Sequence, residues 1–279
     1  MKTIDLRDID KDRECPIEQF CRGLEYAGET HKHGYFHYTN WSNFAKMARQ
    51  VRVSDSSKPH HVIVTKAPWD KNDLSEGKLD RRFWYVSFTY MPHEVVPMWF
   101  MYGKGKSDAV RLQFSVASIR KWASQDASRV CVYQIPKNKS DGTYKRIVIP
   151  VKNVRLFDIG YYAKYSKRLQ KREGVIHRNT KYSVAIPSGG IGGLKGDDKR
   201  FAAYLKESTW AEEREVRLLL EFEKPIEFDM IAIEFDKPIK ELVKNLRNRV
   251  ISSPWLNTET VNSLTIFDCA KSECNGKVG

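Results

Sequence analysis

The chain lacks any run of about 18 apolar residues, so no transmembrane helix is expected. Its five cysteines, Cys15, Cys21, Cys131, Cys269 and Cys274, are odd in number and include no Cys-x-x-Cys pair. Neither a disulfide framework nor a zinc centre is supported, and a reducing cytoplasm fits this usage. No Gly-x-Ser-x-Gly occurs, which removes the nucleophile elbow of serine hydrolases. His31, His33, His60 and His61 have no metal-type partners at suitable spacing, so they read as loop residues and no metal is expected. The first eight residues are too charged for a secretory signal. No repeat and no linker divides the chain. One α+β domain over 1–279 is expected, with 1–14 and 270–279 flexible.

Acidic residues are also in short supply. There are 48 Lys and Arg against 35 Asp and Glu, giving a net charge of +13. A balance this basic points to a polyanionic partner, nucleic acid or an acidic protein. No amphipathic basic helix stands at either end, so a membrane partner is not expected.

What is present is aromatic and strand-like. Aromatics make up 12% of the chain. Strands are expected at 34–39, 60–65, 83–90, 109–116, 129–135, 145–151, 153–157, 215–222, 228–235 and 263–267. Helices are expected at 16–26, behind Asn40 as N-cap, and at 97–102, 118–124, 161–172, 199–206 and 239–247. Val51-Arg52-Val53 leads into a polar loop through Asp80, with the short 60–65 strand inside it. The fold class is therefore α+β, with mostly antiparallel sheets and surrounding helices.

The most informative stretch is Trp210-Ala211-Glu212-Glu213-Arg214-Glu215-Val216-Arg217, followed by three leucines. Glu213 and Glu215 stand two apart where a strand begins, and residues two apart on a strand share a face. Two like charges side by side are unfavourable unless something uses them. The stretch is either a salt-bridged edge strand or a catalytic carboxylate site.

Three other features admit two readings each. His37 in its aromatic strand is a packed core residue or a ligand. The glycine run at 188–196 departs from both G-x-G-x-x-G and the P-loop, so it reads as a mobile loop over a site before a phosphate cradle. Tyr161, Tyr162 and Tyr165 interleave with Lys164, Lys167, Arg168, Lys171 and Arg172. As a helix they would form a single-strand nucleic-acid surface, or an ordinary helix with tyrosines inward.

Four blocks carry a resemblance: 35–39, 85–89, 98–103 and Trp210-x-x-Glu213-x-Glu215-x-Arg217. The last two resemble a large bacterial family marked by Met-Trp-x-x-Tyr and Trp-x-x-Glu-x-Glu-x-Arg. The order of all four resembles the ADP-ribosyltransferase fold, which includes toxins that modify DNA bases and anti-phage toxins that modify mRNA. The resemblance implies NAD as co-substrate. It implies that His37, Tyr38 and Thr39 hold the nicotinamide-side ribose, and that Tyr85, Ser87 and Trp99 shape the nicotinamide pocket. Glu215 would be the catalytic acid group, with Glu213 orienting it or the acceptor. The Ser-Thr-Ser strand of the fold is matched here only by Ser87-Phe88-Thr89.

The expected function is transfer of ADP-ribose from NAD to a nucleic acid, RNA favoured over DNA, by a cytoplasmic bacterial defence toxin. Lys164, Arg168, Lys171 and Arg172 would hold the acceptor. An antitoxin or chaperone protein would be a natural partner. The alternatives are a protein ADP-ribosyltransferase, an NAD glycohydrolase, or a catalytically inert nucleic-acid-binding protein.

Overall fold

A computed structural model of the chain describes residues 15–44, 51–53, 56–60, 63–66, 81–103, 108–124, 131–134, 143–147, 149–162, 172–178, 180–185, 199–227, 230–234, 250–254 and 270–271. In chain order, β1 (Cys15–Pro16) leads into α1 (Ile17–Glu29), followed by β2 (Tyr35–Asn40) and a helical turn, α2, at 41–44. Short strands β3 (Val51–Val53), β4 (Ser56–His60) and β5 (Ile63–Lys66) come next, then β6 (Phe83–Thr89), α3 (Val96–Tyr102), β7 (Ala109–Phe114) and α4 (Val116–Ala123). Then come β8 (Cys131–Gln134), β9 (Thr143–Ile147), β10 (Val151–Asp158), β11 (Gly160–Tyr162), β12 (Arg172–His177) and β13 (Thr180–Ala185). The last elements are α5 (Lys199–Ala202), β14 (Leu205–Glu207), a 3-10 helix (Ser208–Glu213), β15 (Glu215–Phe222), β16 (Met230–Glu234), β17 (Val250–Ser252) and β18 (Ala270–Lys271). The class is α+β with mostly antiparallel sheets. Among the described residues, no helix is long and apolar enough to cross a membrane.

The chain divides into two compact units. The first comprises 1–31, 66–87 and 151–227. It holds the sheet β1-β13-β12-β11-β14 and the strands β10, β15 and β6, adjacent in that order. All eight residues of β15 are buried, so this is an interior strand and not the exposed edge its charges allow. α1 packs its face of Phe20, Leu24 and Ala27 into the core shared with Phe157, Tyr204 and Leu205. Gly28 permits this approach, because a Cβ there would lie 2.5 Å from the Phe157 Cα.

The second unit comprises 32–65, 88–150 and 228–279. There β2 pairs with β7 along its length, from Tyr35 opposite Phe114 to Asn40 opposite Ala109. A six-stranded sheet, β4-β3-β9-β8-β16-β5, completes the unit. Asn40 does cap the turn behind it, its Oδ1 accepting from the Asn43 N–H at 2.8 Å.

Three local expectations are overturned. The helix expected at 161–172 is replaced at both described ends by strands, because Tyr161 and Tyr162 pair with Ile176 and Val175. Aromatic and β-branched residues facing each other outweigh the helical spacing of the lysines. The helix expected at 199–206 stops at Ala202, and Leu205–Glu207 pairs in parallel with β11. The polar loop expected after Val53 contains the strand β4 at Ser56–His60, while β5 at Ile63–Lys66 overlaps the short strand expected at 60–65. The expected elements at 239–247 and 263–267 and the glycine run at 188–196 lie outside the described residues.

Candidate active site

Glu213 and Glu215 come together, but not by strand alternation. Glu213 ends the 3-10 helix, and Arg214 follows in the left-handed region at φ 47° and ψ 51°. That reversal turns the chain so that Glu215 starts β15. The Glu215 backbone is fixed on both sides. Its N–H donates to the Tyr161 hydroxyl at 2.9 Å, and its carbonyl accepts from the Ile159 N–H at 3.0 Å.

Strand alternation does act between Glu215 and Arg217. Arg217 Nε donates to Glu215 Oε1 at 2.7 Å, Nη2 approaches Oε2 at 3.4 Å, and Nη1 donates to the Ala203 carbonyl at 2.8 Å. Ser87 on β6 donates to Glu215 Oε1 at 2.5 Å. Lys206 on β14 reaches both acids, with Nζ 2.7 Å from Glu213 Oε2 and 3.0 Å from Glu215 Oε2. Aromatic rings flank the cations, Trp210 at 5.0 Å from Lys206 Nζ and Tyr85 at 4.1 Å from the Arg217 guanidinium.

All four charged residues are buried: Glu213 and Glu215 are 3% exposed, Lys206 7% and Arg217 1%. Removing an ion from water costs several kcal/mol, so such groups persist only as a compensated set. The compensation is unequal. Burial opposes the charge of Glu215, but Arg217 and Lys206, with the Arg217 and Ser87 hydrogen bonds, outweigh it and hold its carboxyl far below the usual range. Burial and the neighbouring Glu215 charge push the Glu213 carboxyl up to about 7, with Lys206 opposing them. One acid is thus fixed as the anion while the other exchanges its proton near neutrality, a division suited to paired electrostatic and acid–base roles.

Other expected site residues distribute as follows. Tyr85 and Ser87 lie half-buried on one side of β6, beside the acid pair. His37, Tyr38, Thr39 and Trp99 belong to the second unit. Tyr38 and Trp99 are packed ring to ring with centroids 4.9 Å apart, and the Tyr38 hydroxyl accepts from the Val95 N–H. The Trp99 Nε1 is buried with no hydrogen-bond partner among the described residues. Thr39 is buried, and His37 is half-buried with its ring 5.7 Å from that of Phe88.

Of the acceptor-binding set, Lys164, Arg168 and Lys171 lie outside the described residues, and Arg172 opens β12. Tyr161 is not a stacking platform. It is 5% exposed, and its hydroxyl is engaged by Glu215.

Two groupings escape the sequence reading. Lys206 falls inside an expected helix, and only charge balance, two adjacent acids needing a nearby cation, points to it. His31 is not an unpartnered loop residue. Its Nε2 lies 2.5 Å from Asp158 Oδ1, while His177 Nε2 and Arg178 Nε lie 2.8 and 3.3 Å from Oδ2. Burial resists the Asp158 charge, but the hydrogen bonds from His177 and His31 lower its carboxyl to about 2. Among the described residues, no group of three or more His, Cys, Asp or Glu is arranged to hold a metal ion.

No protein-family model, curated protein or solved structure matches the chain.

Proposed function

We propose that the protein transfers ADP-ribose from NAD to a nucleic acid, RNA favoured over DNA, as a cytoplasmic bacterial defence toxin with an ADP-ribosyltransferase-like fold. The observation that carries this reading is the buried acid pair bridged by Lys206, in which Arg217 and Ser87 hold Glu215 as the anion and burial beside that charge raises the Glu213 carboxyl. Breaking the bond between ribose C1′ and the nicotinamide nitrogen sends the electron pair to the ring and leaves positive charge on the sugar. The fixed Glu215 carboxylate stabilises that charge. An acceptor oxygen or nitrogen then bonds to C1′, and its proton passes to ionised Glu213. Tyr85 and Trp210 wall the pair and limit water, which would otherwise hydrolyse NAD. The +13 charge favours a polyanionic acceptor over protein. His37 and Thr39 are proposed NAD ligands on the strength of the resemblance.

A second reading is a catalytically inert nucleic-acid-binding protein. What favours it is that Ser87, Arg217 and Lys206 already occupy both oxygens of Glu215. Incubation of the protein and its Glu215→Gln variant with radiolabelled NAD and separate pools of RNA, DNA and protein decides between them. Label on RNA from the wild type alone supports transfer. Label on protein, or free ADP-ribose, selects the other enzymatic outcomes. Unchanged NAD with every pool leaves the inert reading.

A further inference from the structure

We propose that Lys206 is a positioning residue that bridges the two acids and couples the proton held by Glu213 to the charge on Glu215. The inference rests on the functional reading above for its catalytic meaning. One ammonium bridges both acids. Glu215 receives Arg217 at 2.7 Å and Lys206 at 3.0 Å, and the same Lys206 Nζ lies 2.7 Å from Glu213. Among the described residues, groups hydrogen-bonded to the pair include Lys206 from β14, Arg217 from β15 and Tyr161 from β11, with the Ser87 hydroxyl from β6.

With Lys206 in place, ionising Glu213 brings the four charged groups to neutrality. Without it, Glu213 would lose the ammonium bonded to it while still facing the Glu215 anion, and would keep its proton to higher pH. Lys206 is itself anchored. It stands opposite Tyr161 in the parallel β11–β14 pair, and Trp210 lies against its ammonium group. The ammonium therefore serves both acids from one fixed point.

The test is a carbon-13 NMR titration of the glutamate carboxyls, with Glu213 assigned through Glu213→Gln, in wild type, Lys206→Met and Lys206→Arg. In Lys206→Met the Glu213 midpoint is expected to rise by about one pH unit or more. Lys206→Arg is expected to return it toward the wild-type value. An unmoved midpoint in a folded Lys206→Met protein overturns the proposal. If Lys206→Met does not fold, Lys206→Arg decides: a Glu213 midpoint within neutral pH supports the coupling, and one displaced as far as the ordinary carboxylate value overturns it. A parallel pH profile of NAD turnover separates the two ideas. A moved midpoint with no turnover in any variant retires the functional reading and leaves the coupling in place.

Discussion

Arg217 and Glu215, two residues apart on β15, form a two-point ion pair inside a strand whose every residue is buried. A lone carboxylate could not remain charged there. Arg217→Met removes one of the two cations bonded to Glu215 and leaves Lys206, so it should lower stability by less than the roughly 3–5 kcal/mol of a buried charge left wholly unpaired. Arg217→Lys should restore only part of this, because an ammonium cannot reproduce the planar fork. Urea unfolding at neutral pH measures both.

Glu215→Gln should do more than remove a charge. It should lower ADP-ribose transfer by about two orders of magnitude or more. It should also draw the Glu213 titration down from about 7, because a like charge disappears while Lys206 still needs an anion. A folded variant with wild-type transfer would remove Glu215 from the chemistry.

Glu213 makes stability depend on pH in a definite direction. Its carboxyl titrates higher in the folded protein than in the unfolded chain, so the folded state binds the proton more tightly. Stability should fall as pH rises from about 4.5 through about 7. Glu213→Gln should flatten that fall, as seen in denaturant midpoints across the range.

Asp158 gives the opposite sign. Its carboxyl is lowered from 3.8 to about 2 by His177 and His31. Its contribution, about 2 kcal/mol, is present above pH 4 and is lost as pH falls toward 2. Asp158→Asn should be less stable than wild type by that amount at pH 7, and the two should converge in acid.

His37→Ala separates the two readings of β2. Weaker NAD binding with little change in melting temperature supports a ligand. A large loss of stability with unchanged affinity makes His37 a packing residue.

Much of the frame was legible in the sequence because its signals are local. Residues 215–222 read as a strand from their composition, and β15 has those bounds. The Asn40 cap and the strand at 83–90 were equally visible. What was hidden is long-range. Lys206 looks helical until β11 offers it a partner 45 positions upstream, at Tyr161. Tyr161 looks like a surface aromatic until the Glu215 amide takes its hydroxyl. His31 and Asp158 are 127 residues apart, so no spacing rule could join them. The pairing of Glu213 with Glu215 was read correctly in outcome, but its cause is a left-handed residue and a shared lysine.

That left-handed residue gives the chain an unusual mutational handle. Arg214 holds a conformation that costs a non-glycine residue roughly 1 kcal/mol or more. Glycine would adopt it without strain, yet would also widen the unfolded ensemble, so the two effects oppose each other. A β-branched side chain would resist the conformation outright and shift one acid against the other without touching either. Position 214 is thus where library selection could retune the spacing of the pair while Glu213, Glu215, Lys206 and Arg217 are all kept.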